Sequence, residues 1–359
     1  MSSDRSGKGG DVADRDTPLV RNEWYVAALG HEITRTPLRR TILDQDIVFY
    51  RREDGSAAAL QNRCAHRSYP LSKGCLNGDA IVCGYHGMEF GADGRCVHIP
   101  AQDAIPAAMR VQAYPLVEQG PFVWIWTGDP DAADMEKLVP QPWFTEPDWG
   151  KVAGYFHMKA SYLGLHENLL DLSHFPFVHG AALGRAEHAG AKPRVGMADG
   201  LVHSSVLHRD IAISPAFAAA APMTHPVDRL SEQVVPTPAI HLGKAIYTDS
   251  SDPPQVFNRY VVHFPTPETR TSTHYFWGIA RDTAIDDAAM DAEALALGNK
   301  AFNEDREVLE EIEALVARDD RPEFREKIID TDRGGILFLR WLAARAAAEQ
   351  GAPEQQAKP

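Results

Sequence analysis

Cysteine is scarce in this chain, with four residues among 359. No run of eighteen apolar residues occurs, which excludes a helix spanning a bilayer. Basic residues are too few to balance the acidic ones, 36 against 50, giving a formal charge of −14. That deficit argues against nucleic acid or anionic lipid as partners, because phosphate binding needs surplus Lys and Arg. No G-x-G-x-x-G follows a strand-like segment, so the chain shows no dinucleotide site of its own. The N-terminal stretch lacks the apolar core of a signal peptide, which makes the cytoplasm the expected location. No internal repeat is visible. What remains is an ordinary apolar share of 44% and a length sufficient for two domains.

Two of the four cysteines stand in short mixed motifs. Cys64-Ala65-His66 is followed, after sixteen residues, by Cys83-Gly84-Tyr85-His86. One thiolate and one imidazole on each of two loops is the ligand set of a Rieske [2Fe–2S] cluster, in which one iron takes both cysteines and the other both histidines. Zinc would accept the same ligand types, but its fingers pair two cysteines in one loop and two histidines in another. A disulfide is disfavoured in a reducing cytosol. Cys75 and Cys96 fit neither loop and read as small buried hydrophobes.

Around these motifs, from Trp24 to about Trp143, short strand-like segments such as Thr41–Tyr50, Ala57–Gln61 and Phe122–Trp126 alternate with Gly, Asn, Asp and Pro turn signals. This predicts an all-β domain over residues 17–147, preceded by a disordered tail over 1–16. The second half, residues 148–350, mixes the two element types: a helix over Lys159–Phe175, strands between about Leu201 and Ile279, and a long helix over Asp287–Ala317. A last helix, Gly335–Gln350, runs into a polar tail over 351–359. The fold class expected is α+β.

The strongest feature of that half runs from Glu167 to His179. His174 and His179 supply two imidazoles, and two histidines with one carboxylate form the three-ligand face of a non-haem Fe(II) site. Asp171 and His174, three apart, are expected on one helix face. Pro176 is expected to push Phe175 out of the α region and break the helix between the two histidines. For the carboxylate, the apolar stripe of the long helix (Ala301, Phe302, Val308, Leu309, Ile312, Leu315, Val316) includes Asp305, whereas Glu304, Glu307, Glu310, Glu311 and Glu313 fall on a solvated face. An acid on a buried face needs a metal or a cation, which makes Asp305 the candidate ligand.

These motifs, with Arg21–Ala27, Asn168-x-x-Asp171-x-x-His174-x4-His179, Asp305 and Pro267–Gly278, resemble the vanillate and dicamba O-demethylase branch of Rieske oxygenases over about nine-tenths of the chain. Respiratory Rieske proteins carry an extra cysteine in each cluster loop, where this chain has Tyr69 and Tyr85. The resemblance implies an N-terminal all-β Rieske domain and a C-terminal α+β catalytic domain of helix-grip type with a central antiparallel sheet. It implies Cys64, His66, Cys83 and His86 as cluster ligands, and His174, His179 and Asp305 as ligands of a mononuclear Fe(II). It further implies a head-to-tail homotrimer in which Asp171 bridges His86 of one chain and His174 of the next, with Asn168 hydrogen-bonding beside the iron. Electrons must come from a separate NAD(P)H-dependent reductase, with or without a ferredoxin.

The reaction class implied is O2-dependent O- or N-dealkylation of a small substituted aromatic. Ring cis-dihydroxylation and a cluster-only electron carrier are the competing readings. The strands near His241–Ile246 and Tyr260–His263 and the turns before Asp305 are expected to wall the substrate pocket. His241 and His263 read either as hydrogen-bonding groups for a substrate carbonyl or carboxylate or as satisfied core histidines, with Leu297 and Phe302 as candidate apolar wall. Ala294, Gly298 and Ala301 suggest a roomy cavity, and no arginine stands out as a carboxylate clamp.

Overall fold

A computed structural model of the chain describes residues 12–180, 193–211, 223, 226–319 and 326–351. The chain divides into two compact units, one of Arg21–Pro140 with Thr266–Thr269, the other of the remaining residues from Gln141 onward together with the segment before Arg21.

The first unit is built from ten short strands: β1 (Trp24–Leu29), β2 (Leu38–Ile42), β3 (Gln45–Arg51), β4 (Ala57–Gln61), β5 (Cys75–Asn77), β6 (Ala80–Val82), β7 (Glu89–Phe90), β8 (Cys96–His98), β9 (Leu116–Gln119) and β10 (Phe122–Trp126). They form three antiparallel sheets ordered β1-β10-β9, β2-β3-β4 and β5-β6-β7-β8. The single strand expected over Thr41–Tyr50 is a hairpin instead. Leu43 and Asp44 turn with φ of 48° and 62°, a conformation no turn-favouring glycine announced. Their N–H groups donate to the carbonyls of Pro267 and Glu268, which holds the strained turn in place. Glu32 is held below the usual carboxylate range. Burial alone would raise it, but the Arg40 guanidinium 2.9 Å away and the Leu29 N–H prevail.

The second unit contains α1 (Pro142–Thr145), β11 (Gly150–Met158), α2 (Tyr162–Leu170), α3 (Phe175–Val178), β12 (Arg194–Ala198), β13 (Leu201–Ile211), β14 (Val227–Thr237), β15 (Ile240–Thr248), β16 (Val256–Pro267), β17 (Thr273–Arg281), α4 (Ala288–Arg318) and α5 (Arg333–Gly351). The seven strands among its described residues are ordered β11-β17-β16-β15-β14-β13-β12. Asp287 caps α4 by accepting the N–H groups of Ala289 and Met290. Where α4 crosses the sheet, Ala301, Phe302 and Leu309 pack on Tyr275, Trp277 and Ile279.

The apolar stripe of α4 is only half buried. Val308, Ile312, Leu315 and Val316 are exposed, whereas Glu313, assigned to the solvated face, is buried and pairs with Arg15 at 2.7 Å. Arg15 lies in the stretch expected to be disordered. Residues 12–16 are in contact with the fold there, since Ala13 is buried and its N–H donates to the Leu339 carbonyl. Residues 1–11 and 352–359, the rest of the two expected tails, lie outside the described residues. No helix among the described residues is long and apolar enough to cross a membrane.

Candidate metal centres

The two cluster-motif loops share one hydrogen-bond frame. Ser68 N–H donates to the Cys64 carbonyl at 2.9 Å and Gly87 N–H to the Cys83 carbonyl at 3.0 Å; Cys64 N–H reaches the Tyr69 carbonyl and Cys83 N–H the Met88 carbonyl. Ser68 and Gly87 both take positive φ, 58° and 71°, which curls each loop. The loops thereby sink Cys64 and Cys83 into the apolar core with Leu60, Ile81 and Phe90, and leave His66 and His86 exposed with ring centroids 4.7 Å apart. Burial pushes the Cys64 thiol up, a tendency that metal coordination reverses, since the ligand is the thiolate. Paired sulfurs within and paired imidazoles without suit a two-iron cluster with one all-sulfur and one imidazole-bearing iron. Tyr69 and Tyr85 approach to 5.9 Å between rings, and Tyr85 leans on His86 at 3.8 Å. Cys75 is exposed on a three-residue strand, contrary to the burial expected, and Cys96 is buried.

In the second unit, His174, His179 and Asp305 offer three ligand atoms within 4.8 Å of one another. Both imidazole Nε2 atoms lie 3.3 Å from Asp305 Oδ1, and His174 Nε2 and Asp305 Oδ1 are buried without a directed hydrogen bond. The opposite ring nitrogens are committed: His174 Nδ1 donates to the Asp171 carbonyl at 2.5 Å and His179 Nδ1 to Glu304 Oε2 at 3.0 Å. Each ring is therefore set with its Nε2 lone pair toward the shared point. Burial would raise the Asp305 carboxyl, but the two imidazoles hold it far below the ordinary range. His179 is shifted the other way: burial depresses it, and Asp305 and Glu304 more than offset this. Two imidazoles and one carboxylate converging on one point, with His174 Nε2 and Asp305 Oδ1 both orphaned, fit the facial ligand set of non-haem Fe(II).

The backbone reaches this geometry by a route the sequence reading misplaced. Phe175 is helical (φ −51°, ψ −47°), and the helix breaks earlier, at Asp171 (φ −110°, ψ 92°). The Asp171 carboxylate caps Ser173 N–H at 2.9 Å, and an acid that caps its own backbone competes with helix continuation. Pro176 stands in the first turn of α3, where a missing N–H costs nothing. Asp171 and His174 consequently do not share a face of one helix, and within the chain it is the Asp171 carbonyl that orients His174.

Residues 23–115 match the Rieske [2Fe–2S] domain, and residues 158–348 match the vanillate O-demethylase oxygenase C-terminal domain. The iron-sulfur subunit of the toluene-4-sulfonate monooxygenase system of Comamonas testosteroni is 35% identical over 347 residues, 93% of this chain and 99% of that one. The chain belongs to the Rieske oxygenases of the vanillate O-demethylase type. The oxygenase component of dicamba O-demethylase from Stenotrophomonas maltophilia is 34% identical over 328 residues, 90% of this chain and 96% of the relative. The crystal structure of dicamba monooxygenase bound to 3,6-dichlorosalicylic acid superposes with a TM-score of 0.87 at 33% identity, covering 93% and 99% of the two chains. As a Rieske oxygenase the chain is an oxidoreductase, the oxygenase component of a monooxygenase system, with a [2Fe–2S] cluster and a mononuclear iron as cofactors.

The expected substrate residues of this oxygenase fall into two groups. His241 and His263 face each other across β15 and β16 with rings 5.9 Å apart, and Phe302 meets His263 edge-on at 4.9 Å. His263 Nδ1 contacts the Tyr275 hydroxyl at 2.6 Å and His241 Nε2 contacts Gln233 Oε1 at 2.9 Å. His166, which the sequence reading passed over, completes a row of three at 5.9 Å from His241. Burial pushes His166 down to about 4 and His263 to about 3, and His241 in the same direction, so all three are neutral imidazoles at pH 7. Leu297 is half-buried in the turn before Ala301. Asn168 lies in the last turn of α2 with Nδ2 buried and unpartnered. At Gly298 the small residue of α4 leaves no open space. A Cβ on Gly298 would lie 2.6 Å from Trp277, and one on Gly154 would lie 2.2 Å from the same indole, which already fills that space.

Proposed function

We propose that this chain is a terminal oxygenase that removes an O- or N-alkyl group from a substituted aromatic compound. The observation that carries the reading is the convergence of His174 Nε2, His179 Nε2 and Asp305 within 4.8 Å in a fold shared with dicamba monooxygenase. His174, His179 and Asp305 hold the iron, and Cys64, His66, Cys83 and His86 hold the cluster. When bound, the cluster supplies single electrons and the iron supplies the site of dioxygen reduction. One oxygen atom enters the C–H bond of an alkyl carbon and the other leaves as water. An alkyl carbon on O or N then gives a hemiacetal or hemiaminal, which collapses to the dealkylated product and an aldehyde.

The protein's own groups set up the reaction around these centres. Glu304 and the Asp171 carbonyl fix the two metal-directed imidazoles. Asp171 uses one carboxylate oxygen on Ser173 and keeps lone pairs for a partner subunit's cluster histidine, which supports its bridging role in a head-to-tail trimer. Exposed His66 and His86 suit the approach of an electron-donating reductase or ferredoxin, a partner required because the sequence has no dinucleotide fingerprint of its own. His241, His263, Phe302 and Leu297 line the substrate side, with Asn168 beside the iron. A cytoplasmic location accords with this dependence on NAD(P)H.

A panel of methoxybenzoates and N-alkyl anilides with a surrogate reductase and labelled dioxygen tests the reading. The expected outcome is aldehyde release equal to dealkylated product, with one labelled atom incorporated. A ring diol carrying both labelled atoms contradicts it.

A further inference from the structure

The helix that carries Asp305 is held in two different ways along its length. Around the acid, Ala301, Phe302 and Leu309 bury themselves on Tyr275, Trp277 and Ile279 of β17. Beyond Leu309 the apolar side chains Ile312, Leu315 and Val316 are exposed, so hydrophobic packing holds α4 less firmly there. Polar ties take over. Lys159 N–H donates to Glu310 Oε1 at 2.8 Å, and Ser161 N–H donates to Glu313 Oε2 at 3.3 Å. Arg15 completes the second tie, with Nη1 2.7 Å from Glu313 Oε1 and Nη2 donating to Oε2 at 3.0 Å.

Ser161 is also the N-cap of α2, its hydroxyl accepting from Leu163 N–H. Through the break at Asp171, α2 leads to His174 and His179. One buried carboxylate therefore joins the helix bearing the acid to the start of the helix that delivers both imidazoles. Glu313 stands eight residues past Asp305, about 12 Å along the helix axis. A tilt of α4 about Leu309 would carry Asp305 Oδ1 away from the two Nε2 atoms that lie 3.3 Å from it.

Arg15 is fixed in turn by its own segment. Ala13 is buried and donates its N–H to the Leu339 carbonyl of α5, and Arg270 donates to the carbonyls of Arg15 and Thr17. A cavity of about 960 Å³ lies between this N-terminal segment, α2 and α4, with Leu163, Leu309, Ile312 and Val316 in its lining. The segment thus reaches α4 there by the Arg15 fork and not by close packing. Without that guanidinium, the buried Glu313 carboxylate would be an uncompensated charge.

We propose that the Arg15–Glu313 pair positions the iron-binding side chains, pinning α4 to the start of α2 and so setting the distance between Asp305 and the two imidazoles. The assignment rests on the ligand set proposed above. Both residues act through the helices they tie together, not by contact with the metal.

Chelator competition on the full-length holoenzyme, with EPR of the ferrous centre using nitric oxide as probe, tests the pin without turnover. In Arg15→Gln and in Glu313→Gln, iron affinity is expected to fall about tenfold, the low end of what a lost ligand-orienting contact costs, with an altered line shape and unchanged cluster absorbance. Arg15→Lys is expected to lie between these and wild type, because it keeps the charge and loses the fork. A role in stability alone would lower the unfolding midpoint and leave the line shape of the folded protein as in wild type. Wild-type affinity and line shape in both Gln variants therefore overturn the pin, whatever the midpoint. Should the Gln variants fail to fold, Arg15→Lys decides, and wild-type affinity and line shape there overturn it as well. Iron retained in His174→Ala sinks the ligand assignment, whereas iron lost there but undisturbed in the Gln variants sinks the pin alone.

Discussion

At the scale of single residues, the metal site is governed by what each imidazole does with its second nitrogen. His179 donates Nδ1–H to Glu304, a charged acceptor, and His174 donates to a backbone carbonyl. The Glu304 carboxylate makes the His179 ring more basic and fixes its orientation. Glu304→Gln is therefore expected to weaken iron binding by about 10–100-fold while leaving cluster absorbance unchanged. Competition against a chelator measures this, and an unchanged iron affinity would remove Glu304 from the account. The candidate ligands His174, His179 and Asp305 stood out in the sequence because an acid on an apolar stripe and two nearby histidines break the local pattern. Glu304 did not, because it is one of five glutamates between positions 304 and 313 and nothing in the spacing distinguishes it from solvated neighbours.

Elements place these residues, and two of them are held by packing that composition disguises. Small residues on α4 read as the wall of an open pocket, yet Gly298 is small because the Trp277 indole occupies the space from below and presses on Gly154 of β11. Gly298→Val would drive two methyl groups into a filled site. The expected cost is about 1–3 kcal/mol, seen as a lowered unfolding midpoint of the holoenzyme. No loss of stability would mean that Trp277 can move aside. The helix break that orients the two histidines was anticipated, but at the wrong residue. Proline is the visible breaker in a sequence, whereas the break at Asp171 comes from a side chain capping its own backbone, a conformational choice that residue identity alone leaves open. The hairpin at Leu43 and Asp44 escaped for a related reason, since its positive φ angles are held by carbonyls more than two hundred residues away in sequence.

For the molecule as a whole, element types and their order were readable from turn signals, strand alternation and one long amphipathic helix, so the α+β class could be anticipated, whereas the antiparallel catalytic sheet was implied only by the family resemblance. The account holds that a single chain carries two separable centres, one resting on Cys64, His66, Cys83 and His86, the other on His174, His179 and Asp305. Iron per chain, measured beside the cluster's visible absorbance in wild type and in His174→Ala, tests this most directly. The expected values are about three irons in the wild type and about two in the variant, with cluster absorbance unchanged. Two irons in the wild type, or loss of cluster and third iron together in the variant, would contradict it.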